Sequence, residues 1–348
     1  MKGTVFIDLD AANAWRPHHE RILRLRDAGN LAIIVGSGVS QFAPSNVPVA
    51  ATVTWRLHRL LLRTIPRAER GRVARLTRDV PFEVLIGRLR ELDEDWATDV
   101  VRSLVSTSAP NSVHRLLIAY AGAARNAGTT CPIVTTNYDQ GLHLAALKAR
   151  VDIHEIVAGS EPAASHRPEI LYVHGYIDRP TTLVLDFRSE FAISGNRIRH
   201  LRRLVTGREL LIVGFSGGDL DVSDALADAG PSGCTWIRTM PETCEPERWH
   251  RSARQLLERV PPGHRTVVAC RGRLGEIFDP SGPDAMPDAD HRSTAGLSTR
   301  FVWVERGQPY QHTKERASGR AGWPSRTGVA SLAPVTTELA ARCLSEEG

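Results

Sequence analysis

The sequence predicts a doubly wound, mainly parallel α/β sheet, and three observations carry that prediction. Short apolar runs recur near residues 31, 132, 153, 170, 183, 210 and 234, most of them separated by stretches of helical spacing. The runs at 31–35 and 209–213 are almost wholly apolar, as strands buried on both faces must be. Four runs end in glycine or in polar residues, which is where open α/β sheets bind ligands.

The elements follow in order. Residues 13–29 set Ile22, Leu23 and Leu25 among Arg16, Arg21, Arg24 and Arg26, an amphipathic helix stopped by Gly29 ahead of the strand at Leu31. Gly36-Ser37-Gly38 then makes a glycine turn, and residues 44–48 form a loop. Apolar and basic residues alternate at helical spacing over 54–63 and 67–78, Pro81 opens a helix, and another pattern runs from Trp96 to Leu104. Residues 50–108 are therefore expected to be a helical insertion, too long for a simple crossover. Asn111 caps a helix over 113–125 that Gly128 closes. Strands at 132–135, 170–173 and 210–213 follow, with helices at 140–150 and 220–229 and a strand at 234–238. Beyond 240 a helix at 247–260 and a strand at 266–269 are expected. Residues 279–300 have linker composition, 301–304 suggest a late strand and 336–344 a final helix. The organisation expected is a Rossmann-like catalytic domain over 1–240 and a less regular C-terminal extension over 241–348.

Composition excludes several classes. Hydrophobic residues make up 42% of the 348, no apolar run is long enough to span a membrane, and the first residues lack a leader's layout, so a cytoplasmic protein is expected. Five scattered cysteines without a C-x-x-C pair indicate reduced thiols rather than a disulfide frame or a zinc ribbon. The net charge of +5 comes almost entirely from arginine, since Lys2, Lys148 and Lys314 are the only lysines. Those arginines fit solvated helix faces, so nucleic acid is not expected to be bound directly.

Four stretches carry candidate chemistry. Gly36, Ser37, Gly38, Val39 and Ser40 could offer main-chain N–H groups to a phosphate, with Gly38 allowing close approach. Position 41 is Gln where the dinucleotide fingerprint has a third glycine, which argues against an ordinary dehydrogenase. Thr136, Asn137 and Asp139 follow the second stretch; read locally, Asp139 is a helix cap and Asn137 a turn residue. His174 and Gly175 end the third, where an imidazole can act as a general base or serve as a structural hydrogen-bonder. Gly214, Ser216 and Asp219 end the fourth.

Together the four stretches resemble the sirtuin family: Gly36-Ser37-Gly38-Val39-Ser40, then Thr136-Asn137-Tyr138-Asp139 with Leu142-His143, then His174-Gly175, then Gly214-Phe215-Ser216. The resemblance covers about residues 30–240. The forms Asn137-Tyr138-Asp139 and Gly214-Phe215-Ser216 look like the prokaryotic branch whose members hydrolyse NAD in antiviral defence. Deacylases of the family carry a four-cysteine zinc module after His-Gly, and no cysteine lies between His174 and Cys234.

The resemblance implies an NAD glycohydrolase without a metal, with NAD as substrate. It implies catalytic roles for Asn137, orienting ribose and water, and for His174 as base. Gly36 to Ser40 would cradle the pyrophosphate, Thr136 would line the site, Asp139 would receive the nicotinamide carboxamide, and Gly214 and Ser216 would contact the adenosine side. Asp219 is expected to cap the following helix. ADP-ribosyl transfer, protein deacylation and a non-catalytic NAD- or ADP-ribose-binding subunit are the alternatives. An NAD-consuming effector needs restraint, so a homo-oligomer or an activating partner protein is expected.

Overall fold

The computed structural model describes residues 4–8, 12–77, 80–159, 161, 167–186, 195–238 and 249–269. Eight strands form one sheet: β1 Thr4–Asp8, β2 Leu31–Val35, β3 Ile133–Thr135, β4 His154–Ile156, β5 Glu169–Tyr172, β6 Glu209–Val213, β7 Gly233–Arg238 and β8 Arg265–Ala269. Their order is β1-β8-β7-β6-β2-β3-β5-β4, and every neighbouring pair is parallel.

The expected α/β architecture is therefore the one observed, for a reason visible in β2. Its five residues are all completely buried, with Leu31, Ile33 and Val35 in the core on one face and Ala32 and Ile34 in the core on the other. A strand covered on both sides has no solvent face to be polar on. Helices α1 (Ala12–Asp27), α6 (Ser112–Asn126) and α7 (Gly141–Ala149) supply Ile22, Leu117 and Ala145 to the first core. Helices α8 (Gly195–Val205), α9 (Leu220–Asp228) and α10 (Arg251–Arg259) supply Leu201, Leu226 and Leu256 to the second.

The order of strands positions the site. From β2 the chain passes to β3, runs out to the edge strand β4, steps back to β5 between them, and then crosses to β6 on the other flank of β2. Open parallel sheets form a crevice where the direction of winding reverses, outside the carboxyl ends of the strands. Here that reversal falls beside β2 and β6, whose carboxyl ends carry Gly36 and Gly214.

Between β2 and β3 lie α2 (Ala50–Thr64), α3 (Arg70–Leu76), α4 (Phe82–Leu92) and α5 (Glu94–Val105), and Ala50–Leu104 packs as a compact unit of its own. Val53, Leu57 and Leu61 recur every four residues on the buried side of α2, while Arg56, Arg59 and Arg63 lie exposed.

Three expectations are corrected. The run at 183–185 is no strand: it follows a short 3-10 turn, Pro180–Thr182, and is buried because it covers the turn at His174, where the Val184 N–H donates to the His174 carbonyl over 2.9 Å. β1 was not anticipated; it pairs with β8 at the sheet edge, and its partners are set by tertiary pairing rather than by a pattern of its own. The helix expected at 247–260 is α10 at Arg251–Arg259. The linker at 279–300, the strand at 301–304 and the helix at 336–344 lie outside the described residues.

Candidate active site

The turns after β2 and β6 are built against each other. A Cβ on Gly36 would stand 2.5 Å from the Gly214 carbonyl oxygen and 2.5 Å from the Phe215 Cα, and one on Gly38 would meet Gly214 at 2.9 Å. Gly214 itself has φ +65°, the left-handed region that favours glycine. The Gly36 N–H donates to the Val213 carbonyl (3.0 Å), the Gly38 N–H to the Gly214 carbonyl (2.9 Å) and the Val39 N–H to the Gly36 carbonyl (3.1 Å). The N–H groups of Gly36, Gly38 and Val39 are thus engaged within the protein, and the close passage of two turns accounts for the glycines. Of the five loop residues, Ser37 alone is half-buried; the others are buried.

Ser40 is the hub beneath the crevice, fully buried at the end of the 3-10 turn Ser37–Gln41. Asn111 caps α6 in a reciprocal box: its Oδ1 accepts the His114 N–H (3.1 Å), and its own N–H donates to His114 Nδ1 (3.3 Å). With Nδ1 accepting, the ring proton sits on Nε2, which donates to Ser40 Oγ over 3.1 Å. Burial, helped by Arg115, lowers the pKa of His114 against the opposing pull of Asp139, so the ring is neutral. The Ser40 hydroxyl in turn donates to Asp139 Oδ2 (2.7 Å), and Asp139 Oδ1 accepts the Gly141 N–H (2.7 Å). Both oxygens of Asp139 are thus engaged in a residue only 4% exposed, and its evident work is to fix Ser40.

Asn137 completes the hub. Its Nδ2 donates to the Gly36 carbonyl (3.2 Å) and to Ser40 Oγ (3.1 Å), and the carbonyl partner decides which end of the amide is nitrogen. Ser40 Oγ therefore donates once and accepts twice, its full capacity. Asn137 Oδ1 is left buried with no hydrogen-bond partner among the described residues. An orphaned buried acceptor costs about 1–3 kcal/mol, which a ligand hydroxyl or a water would recover. Thr136, half-buried, donates its N–H to the Val35 carbonyl and so ties the loop after β3 to β2.

His174 lies in the turn after β5, 6% exposed. Tyr138 tilts against its ring with centroids 6.1 Å apart and anchors its own hydroxyl on the Val184 carbonyl at 2.6 Å. Asp219 Oδ2 lies 3.2 Å from His174 Nε2. Asp219 occupies the N-cap position of α9, yet its side chain makes no cap hydrogen bond, which corrects the expected capping role. Ser216 is exposed at the carboxyl end of β6, its Oγ accepting the Gly218 N–H.

The structure therefore gathers Ser40, Asn137 and Asp139 into one buried network and sets His174 against Asp219 in a second cluster. His114 was not singled out from the sequence, and Tyr138 stood there only within the Asn137-Tyr138-Asp139 pattern, with no role of its own. His114 could have been found as the third residue after a predicted Asn cap, the reciprocal position of a capping box; the role of Tyr138 depends on a long-range partner that carries no local signal.

Residues 132–232 match the family model described as a SIR2-like domain. Among solved structures, the chain is similar to two mutants of a Sir2 homologue in complex with ADP-ribose. Each is 15% identical, with 75% of this chain and 93% of that chain covered, at TM-scores of 0.37 and 0.38. It is also similar to a structure described as the structural basis for the mechanism and regulation of Sir2 enzymes, 11% identical over 74% of this chain and 94% of that one, at a TM-score of 0.32. No curated protein matches the chain. The segment matched by the family model contains Asn137, His174, Gly214 and Ser216.

Proposed function

We propose that the protein is an NAD glycohydrolase, cleaving the bond between nicotinamide and ribose to release nicotinamide and ADP-ribose. The observation that carries the reading is Asn137 Oδ1, a buried acceptor without a partner among the described residues, at the carboxyl end of a central parallel strand. The match of this segment to a SIR2-like domain supports NAD as the substrate.

In this reading nicotinamide leaves with the bonding electron pair, which neutralises its pyridinium ring. A water oxygen bonds to the ribose carbon, and its proton passes to His174. Asn137 Oδ1 accepts from a ribose hydroxyl or from that water, while Ser40, His114 and Asp139 keep the amide from turning. Positioning of this kind supplies much of the barrier reduction, because the leaving group is already good. Ser37, Thr136, Gly214 and Ser216 are left to line the pyrophosphate and adenosine side. No step requires a metal ion.

Such an enzyme would empty its own cell of NAD, so we read it as a cytoplasmic effector of antiviral defence restrained by self-association or by a partner protein. The likeness of Asn137-Tyr138-Asp139 and Gly214-Phe215-Ser216 to the prokaryotic defence branch supports that role. The test is nicotinamide release from NAD by the purified protein across a range of its concentrations, with Asn137→Ala beside it. Release should fall about a hundredfold or more in the variant. Wild-type protein that binds NAD tightly yet frees no nicotinamide at any concentration would replace the hydrolase with a binding subunit.

A further inference from the structure

We infer that Asp219 is a positioning residue for His174, orienting its ring and supplying the counter-charge for the proton His174 takes up. The inference rests on the reading of His174 as the general base.

Asp219 forgoes a helix cap. Aspartate is among the strongest N-cap residues, and a side-chain cap is worth about 1 kcal/mol. At Asp219 the backbone is in the cap position, φ −79° and ψ 105°, and the Ser223 N–H already bonds the Asp219 carbonyl in the first helical turn. The carboxylate nevertheless leaves the helix end uncapped and stands 3.2 Å from His174 Nε2. The contact lies off the line of a hydrogen bond, so it acts chiefly once His174 has taken up its proton, when charge attraction needs proximity and low dielectric more than alignment. Side-chain exposures of 7% and 18% provide the low dielectric.

The loop holding Asp219 is pinned from two helices. Ser223 of α9 and Ser252 of α10 both donate to the Gly217 carbonyl, and the Gly218 N–H closes on Ser216 Oγ. A carboxylate on so fixed a support can hold a ring in place. Burial, and then the charge of Asp219, raise the pKa of Asp221, while His174 lowers it. Asp221 and Asp219 thus lie close enough to feel each other's charge, and Asp219 is the acid in contact with the ring. Among the described residues, His174 is faced by Asp219 at the start of α9, by Asp221 within it and by the Tyr138 ring from the loop after β3.

The test uses Asp219→Asn in the full chain, because asparagine keeps the size and caps a helix as well as aspartate does. Two readouts are taken. The His174 ring is followed by nitrogen-15 NMR without substrate, where the variant should shift the ring signals and lower the pH at which they titrate. Nicotinamide release should lose about tenfold or more in kcat with KM within about twofold, and Asp219→Glu should recover part of the loss. Ring signals that coincide with the wild type overturn the inference, as does a shifted ring with unchanged kcat. If wild-type protein releases no nicotinamide, the proposed reaction fails, and the ring titration still decides whether Asp219 governs His174.

Discussion

Gly214 holds position 36 to glycine, and the Gly38–Val39 backbone does the same for position 214, which can be tested without any ligand. A methyl group at position 36 would press on the Gly214 carbonyl and the Phe215 Cα, both main-chain atoms that cannot swing away. Overpacking of rigid backbone costs about 1–3 kcal/mol, so Gly36→Ala should lower the unfolding free energy measured in urea by that amount, moving the midpoint down, with native circular dichroism retained. An unchanged midpoint would mean that the turns separate freely. Ser40→Ala makes the complementary test. It strips a partner from His114, Asp139 and Asn137 together, and each orphaned buried group costs about 1–3 kcal/mol. Lost stability should come with lost nicotinamide release, because Asn137 then turns. At this scale the sequence made the residues legible but not all their work. Glycine spacing looks the same whether a phosphate or a second turn passes close, and only the distance to Gly214 separates the two.

Among the elements, α6 does the most to join the site to the scaffold. Its cap residue Asn111 accepts the His114 N–H and also donates Nδ2 to the Val39 carbonyl over 2.8 Å, so one side chain starts the helix and holds the turn after β2. Asn111→Ala should cost about 1–2 kcal/mol, and Asn111→Ser less, since serine keeps a neutral cap acceptor and loses only the donor to Val39. Equal losses in both variants would assign the energy to the Val39 contact alone. Cap and helix were legible from the sequence because both signals are local. The same holds for β2, β3, β5, β6 and β7, whose apolar runs reflect burial on both faces. The segment at 183–185 carried the same apolar signal without being a strand, because covering the His174 turn demands burial as much as a ladder does.

On the scale of the whole molecule, polar groups buried across elements set the response to acid. His19 of α1 and Tyr120 of α6 share a 2.8 Å hydrogen bond between the helices on one face of the sheet, and each is 5% exposed. Burial, aided by the charge of Arg26, pushes His19 down to about 4. Its unfolded value is near 6.5, so below that pH the unfolded chain binds a proton that the folded chain refuses. The stabilisation tied to neutral His19 is therefore fully present above about pH 6.5 and is lost as the pH falls toward 4. Between pH 7 and pH 4.5 this one group should remove about 2–3 kcal/mol. His114, also lowered by burial, acts in the same direction. Urea unfolding at the two pH values measures the slope, and His19→Gln should flatten it by the His19 share while weakening the protein at pH 7 through the Tyr120 contact. An equally steep slope in His19→Gln would shift the acid sensitivity to His114 and the buried network around Ser40, tying the stability of the fold directly to the protonation of the candidate site.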